Sequence, residues 1–123
     1  MPQVVIKPDR HRDEYVVWST VVEAPVMYGC RRYMTRWLAA HDREQTGSGR
    51  PLARLRRADR LGSSAFPEWG DGHWGDDIQI YEQRGILNRR DFYRAAVLLA
   101  AGREPEVWDL LEPFEDETEV RRG

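Results

Sequence analysis

Residues 65–77, AFPEWGDGHWGDD, set one imidazole, His73, and four carboxylates, Glu68, Asp71, Asp76 and Asp77, among three glycines and three aromatic rings, Phe66, Trp69 and Trp74. Asp71, His73, Asp76 and Asp77 are of metal-ligating type. Their spacing argues against a metal. It is not that of an EF-hand loop, and the chain has no HExxH pair and no cysteine–histidine pairing. One imidazole among flexible acids holds an ion weakly, so neither metal nor cofactor is expected. The same residues have a plainer use: Asp76 and Asp77 cap a turn before a strand, and the glycines supply left-handed backbone. Trp69 and Trp74 then either pin the loop on the core or stand partly exposed as partner anchors. On the second reading Phe66, Trp69, Asp71, His73 and Trp74 form the partner-binding set, and the acids suit an arginine-rich partner.

Nucleophilic catalysis fares no better. Cys30 and His41 share a helical stripe, but eleven residues of helix separate them by roughly 16 Å, where a working pair needs about 3 Å. Ser19, Ser63 and Ser64 lie in no GxSxG elbow, His11 sits in a charged turn, and GSGR lacks the GxxxxGK[ST] phosphate loop. No catalytic residue is expected.

Arginine supplies the competing reading. The chain holds 18 Arg against the single Lys7, and nine of them fall in residues 31–60 against Asp42, Glu44 and Asp59. Arg50, Arg54, Arg56, Arg57 and Arg60 share one side of a helix and, with Arg31, Arg32, Arg36 and Arg43 nearby in sequence, make a surface over 31–60 able to track phosphates. Against nucleic acid stand a net charge of −2 and eight acids with no base in residues 104–119. The basic middle and acidic end either compensate each other within one fold or address different partners.

The elements that position these residues follow from periodicity. QVVIK (3–7) and EYVVWSTVV (14–22) read as strands, the second apolar on both faces and therefore central. Pro25 interrupts the ladder before a short third strand at VMY. Cys30, Met34, Trp37, Leu38 and His41 then mark a helix, and QTGSG (45–49) a loop. A second helix has Pro51 in its first turn, Leu52, Leu55, Ala58 and Leu61 on one side, and Gly62 as its stop. DIQIYE (77–82) reads as a strand with Ile78 and Ile80 pointing the same way, and Gly85 as the following turn. Asn88 and Asp91 resemble a capping box, with Leu87 stapled to Phe92, opening a helix that ends at Gly102. A last helix spans about 104–111, carrying Val107, Trp108 and Leu111. The order predicts an α+β fold: a small, mainly antiparallel sheet of about three strands against about four helices, as a single layer pair.

At 123 residues the chain is one domain, 1–113, followed by a polar, acidic tail, 114–123. It can fold without disulfides or metal. The absence of a signal-like apolar N-terminus or a membrane-length apolar run, together with a single cysteine, fits a reducing cytoplasm and no membrane partner. Exposed edges at 3–7 or 77–82 would allow two like chains to pair as a homodimer.

The segment EYVVWSTVVEAPVMYGCRRYMTRWL (14–38) resembles the N-terminal half of small uncharacterised proteins of actinobacteria and their phages. RADRLGSSA (57–65), WGDD-IQIYEQRGIL (74–87) and DLLEPFEDE (109–117) follow in a similar order. The arginine bias is what a GC-rich genome would produce. The resemblance implies a small accessory protein, in the host cytoplasm if phage-encoded, and brings no functional residues with it. The leading expectation is a non-enzymatic protein–protein interaction module contacting a host or phage protein; the alternative is a nucleic-acid-binding protein using the arginine face.

Overall fold

The computed structural model describes residues 3–41, 51–66, 68 and 72–114. Three strands, β1 (Gln3–Ile6), β2 (Tyr15–Ser19) and β3 (Ala24–Gly29), form an antiparallel meander with β2 in the centre. Helices α1 (Arg31–His41) and α2 (Pro51–Leu61) follow. A separate antiparallel ribbon comprises β4 (Ile78–Tyr81) and β5 (Gly85–Asn88), and α3 (Phe92–Ala100) and α4 (Glu104–Trp108) complete the fold. The α+β class is as expected.

The layering differs from the expected single layer pair, because the central sheet is covered on both faces. Val4, Ile6, Val16 and Trp18 pack with Tyr81, Leu87, Phe92, Ala95 and Val107 from the ribbon, α3 and α4. Val5, Tyr15 and Val17 point the other way, onto Met34 and Leu38 of α1 and Leu55 and Ala58 of α2. Strand alternation sends successive residues to opposite faces, and here each face meets an apolar layer. Trp18 anchors the first side, with its ring 5.6 Å from Phe92 and 6.5 Å from Tyr81.

Several local expectations need correction. Pro25 does not break the ladder: it lies opposite Trp18, and a bulge between Val17 and Trp18 leaves Val26 as the extra, exposed residue. Val21 and Val22 fall in the turn, not in β2, and are exposed. Asn88 and Asp91 form no capping box. Asn88 is extended, makes no side-chain cap bond, and donates from Nδ2 to Glu112 Oε1 at 3.1 Å. It belongs to β5, a strand that the helix-like run after it concealed. Gly85 is not the turn residue. Glu82 and Gln83 carry the positive φ angles, whereas a Cβ on Gly85 would lie 2.6 Å from the carbonyl oxygen of Glu112. That glycine is there for close approach, since Ile86 exchanges backbone hydrogen bonds with Glu112. α4 is shorter than expected, and the loop at 45–49 lies outside the described residues, as does the tail beyond Phe114.

Tyr81 is fully buried in the first core, and its hydroxyl has no hydrogen-bond partner among the described residues. Burial, with the charges of Glu82 and Glu104, pushes its phenol up to about 12. An unsatisfied buried hydroxyl costs free energy that an apolar isostere avoids. Tyr81→Phe is therefore expected to be neutral or to stabilise by about 1 kcal/mol in denaturant unfolding. A loss of more than about 1 kcal/mol would reveal a partner for that hydroxyl.

Candidate functional site

The segment that drew attention in the sequence closes the chain upon itself. α2 ends at Gly62 with φ +92, leaving the carbonyls of its last turn without helical partners. Trp74 supplies two of them. Its backbone N–H donates to Leu61 O at 2.7 Å, and its indole Nε1–H donates to Arg60 O at 2.9 Å. The guanidinium carbons of Arg10 and Arg89 lie 4.4 and 4.6 Å from the ring centre. His73 Nε2 pairs with Ala65 O at 3.0 Å. Phe66 is exposed, with the Arg57 guanidinium 4.6 Å from its ring centre. Trp69 and Asp71 lie outside the described residues. Of the predicted partner-binding set, then, His73 and Trp74 are engaged internally and Phe66 faces solvent.

Arg89 organises this region, and sequence reasoning missed it. Only 7% of the residue is exposed. Its Nε donates to Pro8 O (3.2 Å), Nη1 to the carbonyls of Gly72, His73 and Asp76 (2.8–3.1 Å), and Nη2 to those of Lys7 and Gly62 (2.7 and 3.0 Å). One planar fork thus ties the end of β1, the end of α2 and the 72–76 loop together. Burial lowers its pKa, while the charges of Asp77 and Asp76 act the other way. The cation also sits at the C-terminal end of α2, where the helix dipole favours positive charge. A surface groove of about 470 Å³ runs past Asp9, Arg12, Asp77 and Arg90 with Arg89 in its wall. Because Arg89 spends its donors on carbonyls, it has none for an anion in that groove.

The arginine side of α2 is less free than its spacing suggested. Arg54 is 4% exposed and donates from Nη2 to Gln3 O at 3.2 Å. It precedes Ala58 by four residues and so lies on the buried stripe with Leu55, whereas Leu52, assigned to the apolar side, is exposed. Arg57 donates to Ser64 O at 2.6 Å. Burial lowers its pKa, helped by the charges of Arg54 and Arg60. Arg43 and Arg50 lie outside the described residues. Of the arginines described in α2, Arg56 and Arg60 remain exposed; Arg32 and Arg36 of α1 are exposed as well.

A second polar cluster involves the chain's only lysine. Tyr15 donates from its hydroxyl to Asp59 Oδ1 at 2.5 Å and accepts from Arg31 Nη1 and Lys7 Nζ at 3.1 and 3.3 Å. Arg31 also pairs with Asp59 Oδ2, and Lys7 Nζ lies 3.4 Å from Asp59 Oδ1. Burial pushes Asp59 up, but hydrogen bonds from Tyr15 and Arg31 and the charges of Arg31 and Lys7 outweigh it and hold the carboxyl below its ordinary 3.8. Burial and the bond to Asp59 raise Tyr15. Lys7 is raised despite its desolvation, because Tyr15 and Asp59 favour its charged form. None of these shifts moves a group toward neutrality, where proton transfer operates; the cluster braces β1 and β2 against α1 and α2.

The shifts set a pH window. Asp59 is depressed, so its contribution is present above the ordinary carboxylate value and lost as pH falls through the lowered one. Lys7 and Tyr15 are raised, so theirs are present below 10.5 and 10.0 and lost as pH rises through the higher folded values. Melting temperature is expected to fall at both extremes. In Asp59→Asn the acid limb should flatten; an unchanged limb would remove Asp59 from the account.

Cys30 is exposed and His41 stacks on Trp37 at 4.1 Å, with Nδ1 2.8 Å from Trp37 O. Their stripe is buried only at Met34 and Leu38. Among the described residues no three His, Cys, Asp or Glu side chains gather where one ion could be held, and no helix is long and apolar enough to cross a membrane.

Among the exposed apolar side chains, which include Val21, Val22, Val26, Tyr33 and Leu52, two lie side by side on the ribbon. Register pairs Ile78 with Asn88 and Ile80 with Ile86, so these four share one face, while Tyr81 and Leu87 point into the core. Ile78 and Ile80 are 47% and 49% exposed, and Trp108 is 42% exposed with the Arg84 guanidinium 4.3 Å from its ring centre. Sequence reasoning placed both isoleucines on one side of a strand; the side is the outer one. Comparison with family models, curated proteins and solved structures finds no match to this chain.

Proposed function

We propose that this chain is a non-enzymatic protein–protein interaction module whose contact surface is the outward face of the β4–β5 ribbon. The observation that carries the reading is the pair Ile78 and Ile80, half exposed side by side on a strand whose other face is locked into the core. Adjacent exposed β-branched residues on a rigid element offer apolar area at little ordering cost. This moves the expected surface from the tryptophan loop to the strand that follows it, with Phe66 outside its centre. The loop's role is structural: Trp74 closes it on the end of α2, and Arg89, which follows β5, ties it to the end of β1.

A partner in a host or phage cell, and an origin among actinobacteria or their phages, belong to the same proposal and rest on the sequence resemblance. Nucleic-acid binding draws less support, since Arg54 and Arg57 are committed to backbone carbonyls. The test is affinity capture from the source cell with the wild-type chain and an Ile78→Glu/Ile80→Glu variant. A partner bound by wild type should be lost from the variant, while melting temperature stays within about 2 °C because both sites are exposed. Equal capture by both proteins would refute the ribbon as the contact surface.

A further inference from the structure

We infer that β4 accepts an extended segment of a partner protein as an added strand, and that this segment carries alternating apolar side chains flanked by basic residues. The inference rests on the interaction-module reading above and names the partner's chemistry.

Asp77 O accepts the N–H of Arg89, so residue 77 faces β5, and by strand alternation residues 79 and 81 do as well. Ile78, Ile80 and Glu82 therefore turn their N–H and C=O groups to the opposite side. Glu82 obeys this: its N–H donates at 2.7 Å to Glu23 O, in the turn between β2 and β3. Among the described residues no strand pairs with β4 along that side. The outer edge of β1 is different. There Ser64 N–H donates to Val5 O, and Ser64 Oγ accepts from Val5 N–H, both at 2.8 Å, which corrects the expectation that residues 3–7 offer a free edge.

An open edge bearing two exposed isoleucines is a template for strand addition, with main-chain bonds giving affinity and alternate side chains giving selectivity. Charge then chooses the occupant. Asp76 and Asp77 precede β4, Glu82 follows it, and Glu23 adjoins its end. Arg84, 3.7 Å from Glu82, and the buried Arg89, which feels the charges of Asp76 and Asp77, offset part of this acidity, and Glu23 adds to what remains. A second copy of the chain fits poorly. Two-fold antiparallel pairing about Gln79 sets Ile78 against Ile80 of the other copy, but sets Asp76 against its Glu82, twice. Shifting the axis to Ile80 sets Asp76 against Arg84, but it leaves Ile78 against Glu82, whose N–H is already engaged by Glu23. Like charges directly opposed destabilise a ladder. A basic-flanked apolar strand meets no such conflict and gains from the acids at both ends.

The experiment titrates the full chain with two synthetic peptides, each alternating valine and threonine, one between arginine pairs and one between glutamate pairs. Amide hydrogen exchange is read by NMR at Ile78 and Ile80. The arginine peptide should slow exchange at those two amides by about tenfold or more, with no change at Leu87, which already faces β4. The glutamate peptide should not, and Ile78→Glu/Ile80→Glu should abolish the effect. If the arginine peptide binds without protecting these amides, strand addition is wrong while the apolar face stands. If it fails to bind although the same double variant loses its captured partner, strand addition again falls and the interaction face survives. If it fails to bind and the variant captures as wild type does, both fall. Protection that rises with protein concentration in the absence of peptide would overturn the inference in favour of a second copy.

Discussion

Replacing Arg89 with alanine is expected to destabilise the chain by about 3–5 kcal/mol, the range for breaking a buried charged network, or about 12–20 °C in melting temperature for a chain of this size. The reason lies in what the guanidinium does. Six carbonyls from Lys7, Pro8, Gly62, Gly72, His73 and Asp76 share its donors; Gly62 O and His73 O also accept from the N–H groups of Lys7 and Asp76, but removing the guanidinium takes the donor from the other four at the junction of β1, α2 and the loop. Arg89→Lys keeps the charge but not the planar fork, so an ammonium can satisfy at most half of these acceptors. Its loss should fall between alanine and wild type. Should alanine prevent folding altogether, the lysine variant still reports the effect. A melting temperature unchanged by the lysine substitution would mean that charge alone, not the fork, holds the junction.

The second large effect is expected at Gly62. Its φ of +92 is costly for any residue with a Cβ, and that atom would lie 2.7 Å from Arg89 Nη2 and 2.9 Å from the backbone nitrogen of Trp74. Left-handed backbone costs an L-residue about 1–2 kcal/mol, and overpacking adds about 1–3 kcal/mol. Gly62→Ala should therefore lose roughly 2–4 kcal/mol by denaturant unfolding. Part of the clash is with Arg89 itself, so the two substitutions should not add. In an Arg89→Ala background the cost of Gly62→Ala should shrink by about 1 kcal/mol. Strict additivity would show that Gly62 and Arg89 do not share one junction.

The strands and helices of this fold were legible where a period repeats. Val16 with Trp18, and Tyr15 with Val17, announced a central strand with two apolar faces, and the structure buries each pair in a different core. Met34 with Leu38, and Leu55 with Ala58, likewise fixed the inward sides of α1 and α2. β5 was not legible because Gly85 reads as a turn and Asn88 as a helix cap, which leaves only Ile86 and Leu87 between them. Arg54 was misread because a helix wheel assigns sides by residue type, whereas position places it above Ala58 and within reach of Gln3. Nothing in the local sequence could single out Arg89. Its acceptors span residues 7 to 76, and only the folded chain collects them. The lone lysine was a visible oddity, yet its partners Tyr15 and Asp59 lie 8 and 52 residues away. The tryptophan loop stands out in the sequence by its concentration of rings, glycines and acids; the proposed contact surface rests instead on the half-exposed Ile78 and Ile80 beside it, whose exposure only the fold reveals.

The division of labour between loop and ribbon can be tested in one binding titration. The arginine-flanked peptide is titrated against Trp74→Ala and Ile80→Glu, at a temperature where both remain folded. Trp74→Ala, though less stable, should retain the wild-type affinity, while Ile80→Glu should lose at least about tenfold, the equivalent of about 1.4 kcal/mol. Affinity lost in Trp74→Ala and kept in Ile80→Glu would contradict that division, returning the contact surface to the tryptophan loop.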